Sequence, residues 1–197
     1  GIRRFVALRG DGDGPGQPFT PHPDGYPSSI ELIERIAQMG ALQISVAAYP
    51  NGHPDSRSPD ADLDFLKRKE DAGATEAITQ FFFSADTYLR FRDRCAAAGI
   101  GLDIIPGIMP VFDFGKVASF ARKCGEPIPS WVADRFDGLE EKPEMHYQVA
   151  AATAASLCER LASESVSRVH LYSCNRVDLT LAIARLITHP EPISKAA

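Results

Sequence analysis

The chain has 197 residues, 44% hydrophobic and 24% charged, and its 21 Lys plus Arg against 26 Asp plus Glu give a net charge of −5. That length suits one good-sized domain with a single core, and the absence of like-charge blocks or low-complexity tracts excludes a disordered chain. Basic residues are scattered along the sequence rather than gathered in a stripe, which argues against nucleic acid as the main partner.

Arg4 to Leu8 is a short apolar run of β type that ends in a glycine-rich loop, Arg9 to Gly14, continued through Pro15, Pro18, Pro21, Pro23 and Pro27. Five prolines exclude regular helix and central strand from that stretch. Ser28-Ser-Ile-Glu31 has a capping-box pattern and opens a helix whose apolar positions, Ile30, Ile33, Ile36 and Ala37, stop before Gly40. The unit then repeats: strand Leu42 to Ala48, loop Tyr49 to Pro54, helix Asp60 to Ala72; strand Ala77 to Phe83, helix Ser84 to Ala98; strand Leu102 to Ile108, helix Phe114 to Lys123. A short helix over Pro129 to Phe136, a long one over Glu140 to Ser163, a fifth strand over Arg168 to Tyr172 and a helix over Val177 to Ile187 follow, and 188–197 reads as a frayed tail.

Strand, loop and helix in alternation define an α/β fold with a parallel sheet, whose functional groups gather on the loops after the strand C-termini. Arg9, Asp11, Tyr49, His53, Gln80 and Arg176 all fall there. Gln80 stands out, because Ala77 to Phe83 reads as a strand buried on both faces and an amide near its C-terminal end is either satisfied in the core or a site. The glycines Gly10, Gly12, Gly14 and Gly16 lie in a long loop, not in the tight turn of a dinucleotide fold. A (β/α)8 TIM barrel takes roughly 250 residues, so the chain reads as a single incomplete barrel domain over 1–197 that supplies about the last five strand–helix units.

Cys95, Cys124, Cys158 and Cys174 are widely and irregularly spaced, and the histidines show no ligand spacing, so free thiols and no metal are expected. No apolar run reaches the length of a membrane span, and the N-terminal run lacks a signal-peptide core, which points to a cytoplasmic protein without membrane contact.

Several segments together carry a resemblance. Ala7-Leu-Arg-Gly-Asp11, Ile44 to Pro50 with His53-Pro54, Leu66-Lys-Arg-Lys69, Asp71-Ala-Gly-Ala74, Ile78-Thr-Gln-Phe-Phe82, Ile104 to Pro110, Ile128-Pro-Ser-Trp131, Phe136-Asp-Gly-Leu139 and Leu171 to Arg176 follow one another in order and spacing. The chain resembles the 5,10-methylenetetrahydrofolate reductase family over nearly its whole length. The resemblance implies a flavoprotein oxidoreductase that moves a hydride from NADH or NADPH through FAD to 5,10-methylenetetrahydrofolate, giving 5-methyltetrahydrofolate for methionine synthesis.

Carried over by that resemblance, Arg9, Gly10, Asp11, Tyr26, Ser28, Tyr49, His53, Asp62, Arg68 and Lys69 are cofactor contacts. Asp11 and Gln80 are the expected catalytic residues, and Gln80, Phe81 and Arg176 the substrate contacts, Gln80 serving nicotinamide and pterin alike and Arg176 pairing with the folate glutamate. The partners implied are folate and nicotinamide small molecules, in a homo-oligomer. The family's strand-borne general-acid glutamate has no counterpart in this sequence, and an upstream segment of roughly 80 to 110 residues is expected by difference from a whole barrel. The alternative is a non-catalytic barrel remnant that binds flavin or folate, or pairs with another chain through its open edge.

Overall fold

The computed structural model describes residues 1–10, 12 and 19–188. Elements follow in the order β1 (Arg4–Ala7), α1 (Ser29–Gln38), β2 (Gln43–Ala48), α2 (Pro59–Asp71), β3 (Glu76–Phe81), α3 (Ala85–Ala97), β4 (Asp103–Ile108), α4 (Phe114–Cys124), α5 (Ser130–Phe136), α6 (Pro143–Ala162), β5 (His170–Leu171) and α7 (Val177–Thr188). The sheet runs β1-β2-β3-β4-β5, with the parallel registers Ala7↔Val46, Ala48↔Thr79 and Ile108↔Leu171. Strands paired in chain order with a helix after each are the succession of a β/α barrel. Among the described residues, no helix is long and apolar enough to cross a membrane.

The chain divides into two compact units, the first made of Gly1–Gln80, Asp86–Pro106 and Lys123–Gly125. Its core gathers Ala7, Ile44, Val46, Ala48 and Ala77 from the strands against Ile33, Leu63, Leu66, Phe91 and Cys95 of the helices. Alternation puts these strand residues on one face of the sheet, and on the other lie Val6, Ser45, Ala47, Glu76, Ile78 and Gln80.

Local chemistry fixes the helices of this unit. Ser28 caps α1, its Oγ accepting from the Ile30 N–H at 3.1 Å while the Glu31 carboxylate accepts from the Ser28 hydroxyl. Ser58 caps α2 in the same way through the Ala61 N–H at 3.1 Å, with Pro59 as its first residue. Asp60 and Asp62 in the first turn and Arg68 and Lys69 in the last complement the helix dipole. The turn out of α2 needs Gly73: its φ is +113°, and a Cβ there would stand 2.9 Å from the Ala37 Cβ of α1. Tyr88 of α3 reaches the Ile104 carbonyl at 2.7 Å, and burial pushes its phenol up to about 12.

The second unit comprises Phe81–Ala85, Gly107–Arg122 and the chain from Glu126 onward. Its long helix α6 buries a stripe of small residues, Ala150, Ala151, Ala154, Ala155 and Cys158, closed by Leu161. Helix α7 buries Leu179 and Ile183. Phe81 lies parallel to Phe120 of α4, centroids 5.7 Å apart, and meets Phe83 and Tyr172 edge-on.

Four expectations change. β3 is buried unevenly on its two faces: Ala77, Thr79 and Phe81 are buried on one, whereas on the other Glu76 is buried and Ile78 and Gln80 are half-buried. α6 starts at Pro143, three residues later than expected, because proline is well placed in a first helical turn. The fifth strand is two residues long. Thr188 belongs to α7, its hydroxyl donating to the Ala184 carbonyl at 2.7 Å. The remainder of the expected tail, 189–197, lies outside the described residues, as do Asp11, Pro15 and Pro18.

Candidate functional site

The first unit holds a cavity of about 470 Å³, within the range of ordinary ligand pockets. Its wall brings together Arg9 and Gly10 after β1, Tyr49 and His53 after β2, and Asp62 and Lys69 on α2. They arrive by two local rules. Arg9, Tyr49 and His53 follow strand ends, where a parallel sheet gathers its loops. Asp62 and Lys69 are seven apart on one helix, hence on one face.

Lys69 is the unusual member. It is 6% exposed although it belongs to a Lys-Arg-Lys run, and its ammonium donates to the Ala47 carbonyl at 2.8 Å. Burial pushes it down to about 8; the Asp62 carboxylate opposes that shift and the Arg9 guanidinium adds to it. The rest of the run is a solvated face: Lys67 pairs with Glu70 at 3.0 Å and Asp71 at 2.7 Å, and Arg68 is exposed.

His53 is held by its neighbours. Its backbone N–H donates to Asp62 Oδ2 at 2.7 Å, and its Nδ1 accepts from the Asp55 N–H at 3.0 Å. That acceptor role assigns the ring proton of the neutral form to Nε2. Burial lowers the pKa of His53, the nearby Asp55 opposing, so the neutral imidazole prevails at pH 7. Tyr49 meets its ring edge-on, centroids 4.6 Å apart. Arg9 pairs with Asp55 at 3.1 Å and lies 5.4 Å from the centroid of Phe19.

The other expected cofactor residues are placed differently. Ser28 is occupied as the cap of α1, and the neighbouring Ser29 lines the cavity instead. Tyr26 and Arg68 do not line it; Tyr26 is exposed, and Arg68 lies over the Phe65 ring at 5.4 Å. Gln80 sits half-buried on the face of β3 away from the helix-packed core. Sequence reasoning missed Phe65, an aromatic cavity residue three positions from Asp62 and four from Lys69. The spacing i, i+3, i+7 along α2 was the available signal. It also missed a buried pair on the sheet face away from the helix-packed core, the Ser45 hydroxyl donating to Glu76.

In the second unit Phe81 is 1% exposed and packed among aromatic rings, so it supports β3 from the covered side rather than walling a ligand. Arg176 lines a separate cavity of about 690 Å³ with Phe112, Asp113, His146 and Asp178. Its guanidinium lies 5.3 Å from the Phe112 ring centroid.

Around this one cavity stand the buried Lys69 ammonium, the guanidiniums of Arg9 and Arg57, a neutral imidazole, the rings of Tyr49, Phe65 and Phe91, and the carboxylates of Asp55 and Asp62, a lining in which cations outnumber anions and flat apolar surfaces stand beside them. Fold and cavity together define a β/α-barrel chain with a mixed-charge cavity at the ends of its first two strands. The description of the methylenetetrahydrofolate reductase family matches residues 1–188. The 5,10-methylenetetrahydrofolate reductases of Escherichia coli K12 and Pectobacterium carotovorum are 45% identical over 187 residues and 44% over 189; each match takes in 95% of this chain and 61% of the relative. Methylenetetrahydrofolate reductase (NADH) 1 of Zea mays is 31% identical over 186 residues, 89% of this chain and 31% of its own. A solved structure from Clostridium thermocellum, described as binding two copies of 5-methyl-5,6,7,8-tetrahydrofolic acid, overlaps 77% of this chain and 55% of its own at TM-score 0.49 and 18% identity.

The chain belongs to the methylenetetrahydrofolate reductase family. It spans about three-fifths of the length of the bacterial relatives it matches.

Proposed function

We propose that this chain is the part of a methylenetetrahydrofolate reductase that holds FAD and orients the folate. The reaction is hydride transfer from NADH or NADPH, by way of FAD, to 5,10-methylenetetrahydrofolate, yielding 5-methyltetrahydrofolate for methionine synthesis. One observation carries the reading: six of the residues that the resemblance assigns to the cofactor, Arg9, Gly10, Tyr49, His53, Asp62 and Lys69, line one cavity. FAD, when bound, supplies the two-electron hydride chemistry.

The chain's own residues bind and orient. The buried Lys69 ammonium and the exposed Arg9 guanidinium are the donors for a diphosphate. Neutral His53 offers Nε2–H as a further donor, and Asp62 fixes the loop that carries it through the His53 backbone. The half-buried Gln80 amide, on the face of β3 away from the helix-packed core, can both donate and accept, which suits two substrates that take turns. Arg176 is the partner for a folate carboxylate, its guanidinium kept in place against Phe112. Asp11 is assigned a carboxylate's part beside the flavin by the resemblance alone. We further propose a homo-oligomer working in the cytoplasm.

The test uses the full-length natural protein. It should purify yellow, lose its flavin absorbance to NADH or NADPH without oxygen, and recover it when 5,10-methylenetetrahydrofolate is added. Arg176→Ala should raise KM for the folate while leaving the reduction by nicotinamide unchanged. A colourless protein inert towards both nicotinamides overturns the reading in favour of a non-catalytic barrel remnant.

A further inference from the structure

The turn that delivers Arg176 has a conformation its sequence does not favour. Between β5 and α7 the Arg176 N–H donates to the Ser173 carbonyl at 2.8 Å, and the two residues it spans, Cys174 and Asn175, have φ of +48° and +60°. A four-residue turn with positive φ at both central positions is of type I′, which glycine, asparagine and aspartate favour. Here a cysteine takes the first of them, where a Cβ is crowded. Such a residue persists only where its surroundings hold it, and strain held in this way gathers at functional sites.

Bonds on both sides hold the turn. Upstream, the Tyr172 N–H donates to the Ile108 carbonyl at 2.9 Å, fixing the exit from β5 on β4. Downstream, the Arg176 carbonyl accepts from the Thr180 N–H at 3.0 Å and from the Thr180 hydroxyl at 2.8 Å, which binds Arg176 into the start of α7. That start is in turn tied to α6, where the Tyr147 hydroxyl donates to the Asp178 carbonyl at 2.9 Å. Tyr147, Arg176 and Asp178 line the same cavity.

We infer that Tyr147 is a positioning residue for Arg176: its phenol holds the first turn of α7 to α6, so that the type I′ turn presents the guanidinium in one place before a ligand arrives. The inference rests on the reading of Arg176 as the partner of the folate carboxylate. A guanidinium already in place loses less freedom when the carboxylate binds, and the saving appears as affinity. Removal of the Tyr147 hydroxyl therefore acts through Arg176 and not on the folate directly.

Steady-state kinetics of the full-length protein separate this from a merely structural role and from direct contact. Tyr147→Phe keeps the ring and deletes the donor. It should raise KM for 5,10-methylenetetrahydrofolate about fivefold, with kcat and the rate of flavin reduction by nicotinamide within about twofold of the wild type. With Arg176→Ala already in place, the same change should move KM by less than about twofold, because the group it positions is gone. The corresponding 5,10-methylenetetrahydropteroate keeps the pterin and aminobenzoate and lacks the glutamate. Its KM should agree within about twofold among wild type, Tyr147→Phe and Arg176→Ala. An unmoved folate KM in Tyr147→Phe overturns the inference, as does a full effect in the Arg176→Ala background or one that persists with the pteroate. If Arg176→Ala alone still raises the folate KM alongside any of those results, the reading of Arg176 stands, whereas a folate KM unmoved by Arg176→Ala sinks both.

Discussion

Replacing Lys69 by methionine keeps the stem's length and removes the charge, and the consequence depends on pH in a way that can be worked out. Burial brings the Lys69 ammonium from 10.5 to about 8, a shift equivalent to about 3 kcal/mol. Between those two values the unfolded chain binds a proton that the folded chain does not, so stability rises with pH across that window. Below about 8 the folded protein carries the whole cost of a buried cation. The unfolding free energy of wild-type apo-protein, minus that of Lys69→Met, should thus climb by about 3 kcal/mol from pH 7 to beyond pH 10.5. Urea unfolding of both proteins at intervals of pH measures it, and taking the difference cancels tyrosines and other lysines. The same proton sets ligand affinity with the opposite sign. ADP, already fully ionised in this range, should bind the wild type up to about tenfold more weakly per pH unit above pH 8, and Lys69→Met weakly at every pH. A stability difference that stays flat across the window, or an ADP affinity indifferent to the methionine, refutes the reasoning.

Two further outcomes concern the frame around the cavity. Ser28→Ala removes the cap of α1, whose Oγ holds the Ile30 N–H, and should lower the urea midpoint by the equivalent of about 1 kcal/mol with an unchanged slope, while Ser28→Asp should not. Gly73→Ala forces a side chain into φ +113° and against Ala37. It should cost about 1–3 kcal/mol, read as a lowered Tm, with partial recovery in the Ala37→Gly background.

The alternation of strands and helices was legible because both periods are written in single residues: Ile44, Val46 and Ala48 alternate, and Ile33 and Ile36 return every helical turn. Capping was legible at Ser28 for the same reason, a short-range rule with short-range partners. What stayed hidden was long-range. Nothing local distinguishes Lys67, Arg68 and Lys69, yet only Lys69 turns into the cavity, because burial on α2 follows the packed positions Leu63 and Leu66. The burial of Phe81 was hidden likewise. An aromatic beside Gln80 reads as part of the same wall, but neighbours in a strand face opposite ways, and the partners that claim Phe81 come from positions 120 and 172. Phe65, a further cavity residue of α2, was hidden likewise, because Arg9, Tyr49 and His53 that share the cavity with it come from other loops.

Asp62 poses the sharpest question, since a carboxylate in a cavity proposed to take a diphosphate repels that ligand. Two roles offset that repulsion. Its Oδ2 accepts the His53 N–H at 2.7 Å, fixing the loop after β2, and its charge helps keep Lys69 protonated against burial. Asp62→Asn separates these, because the amide oxygen still accepts from His53 while the charge is gone. Without that charge Lys69 loses its proton at a lower pH. At pH 6, where Lys69 is charged with or without Asp62, the variant should bind ADP as tightly as the wild type or more tightly, having lost a repulsion. Near pH 8 it should bind more weakly, having lost the ammonium first, so the two affinity curves cross. Curves that run parallel, with the asparagine weaker throughout, mean that Asp62 acts on the loop alone and that Lys69 keeps its proton by other means.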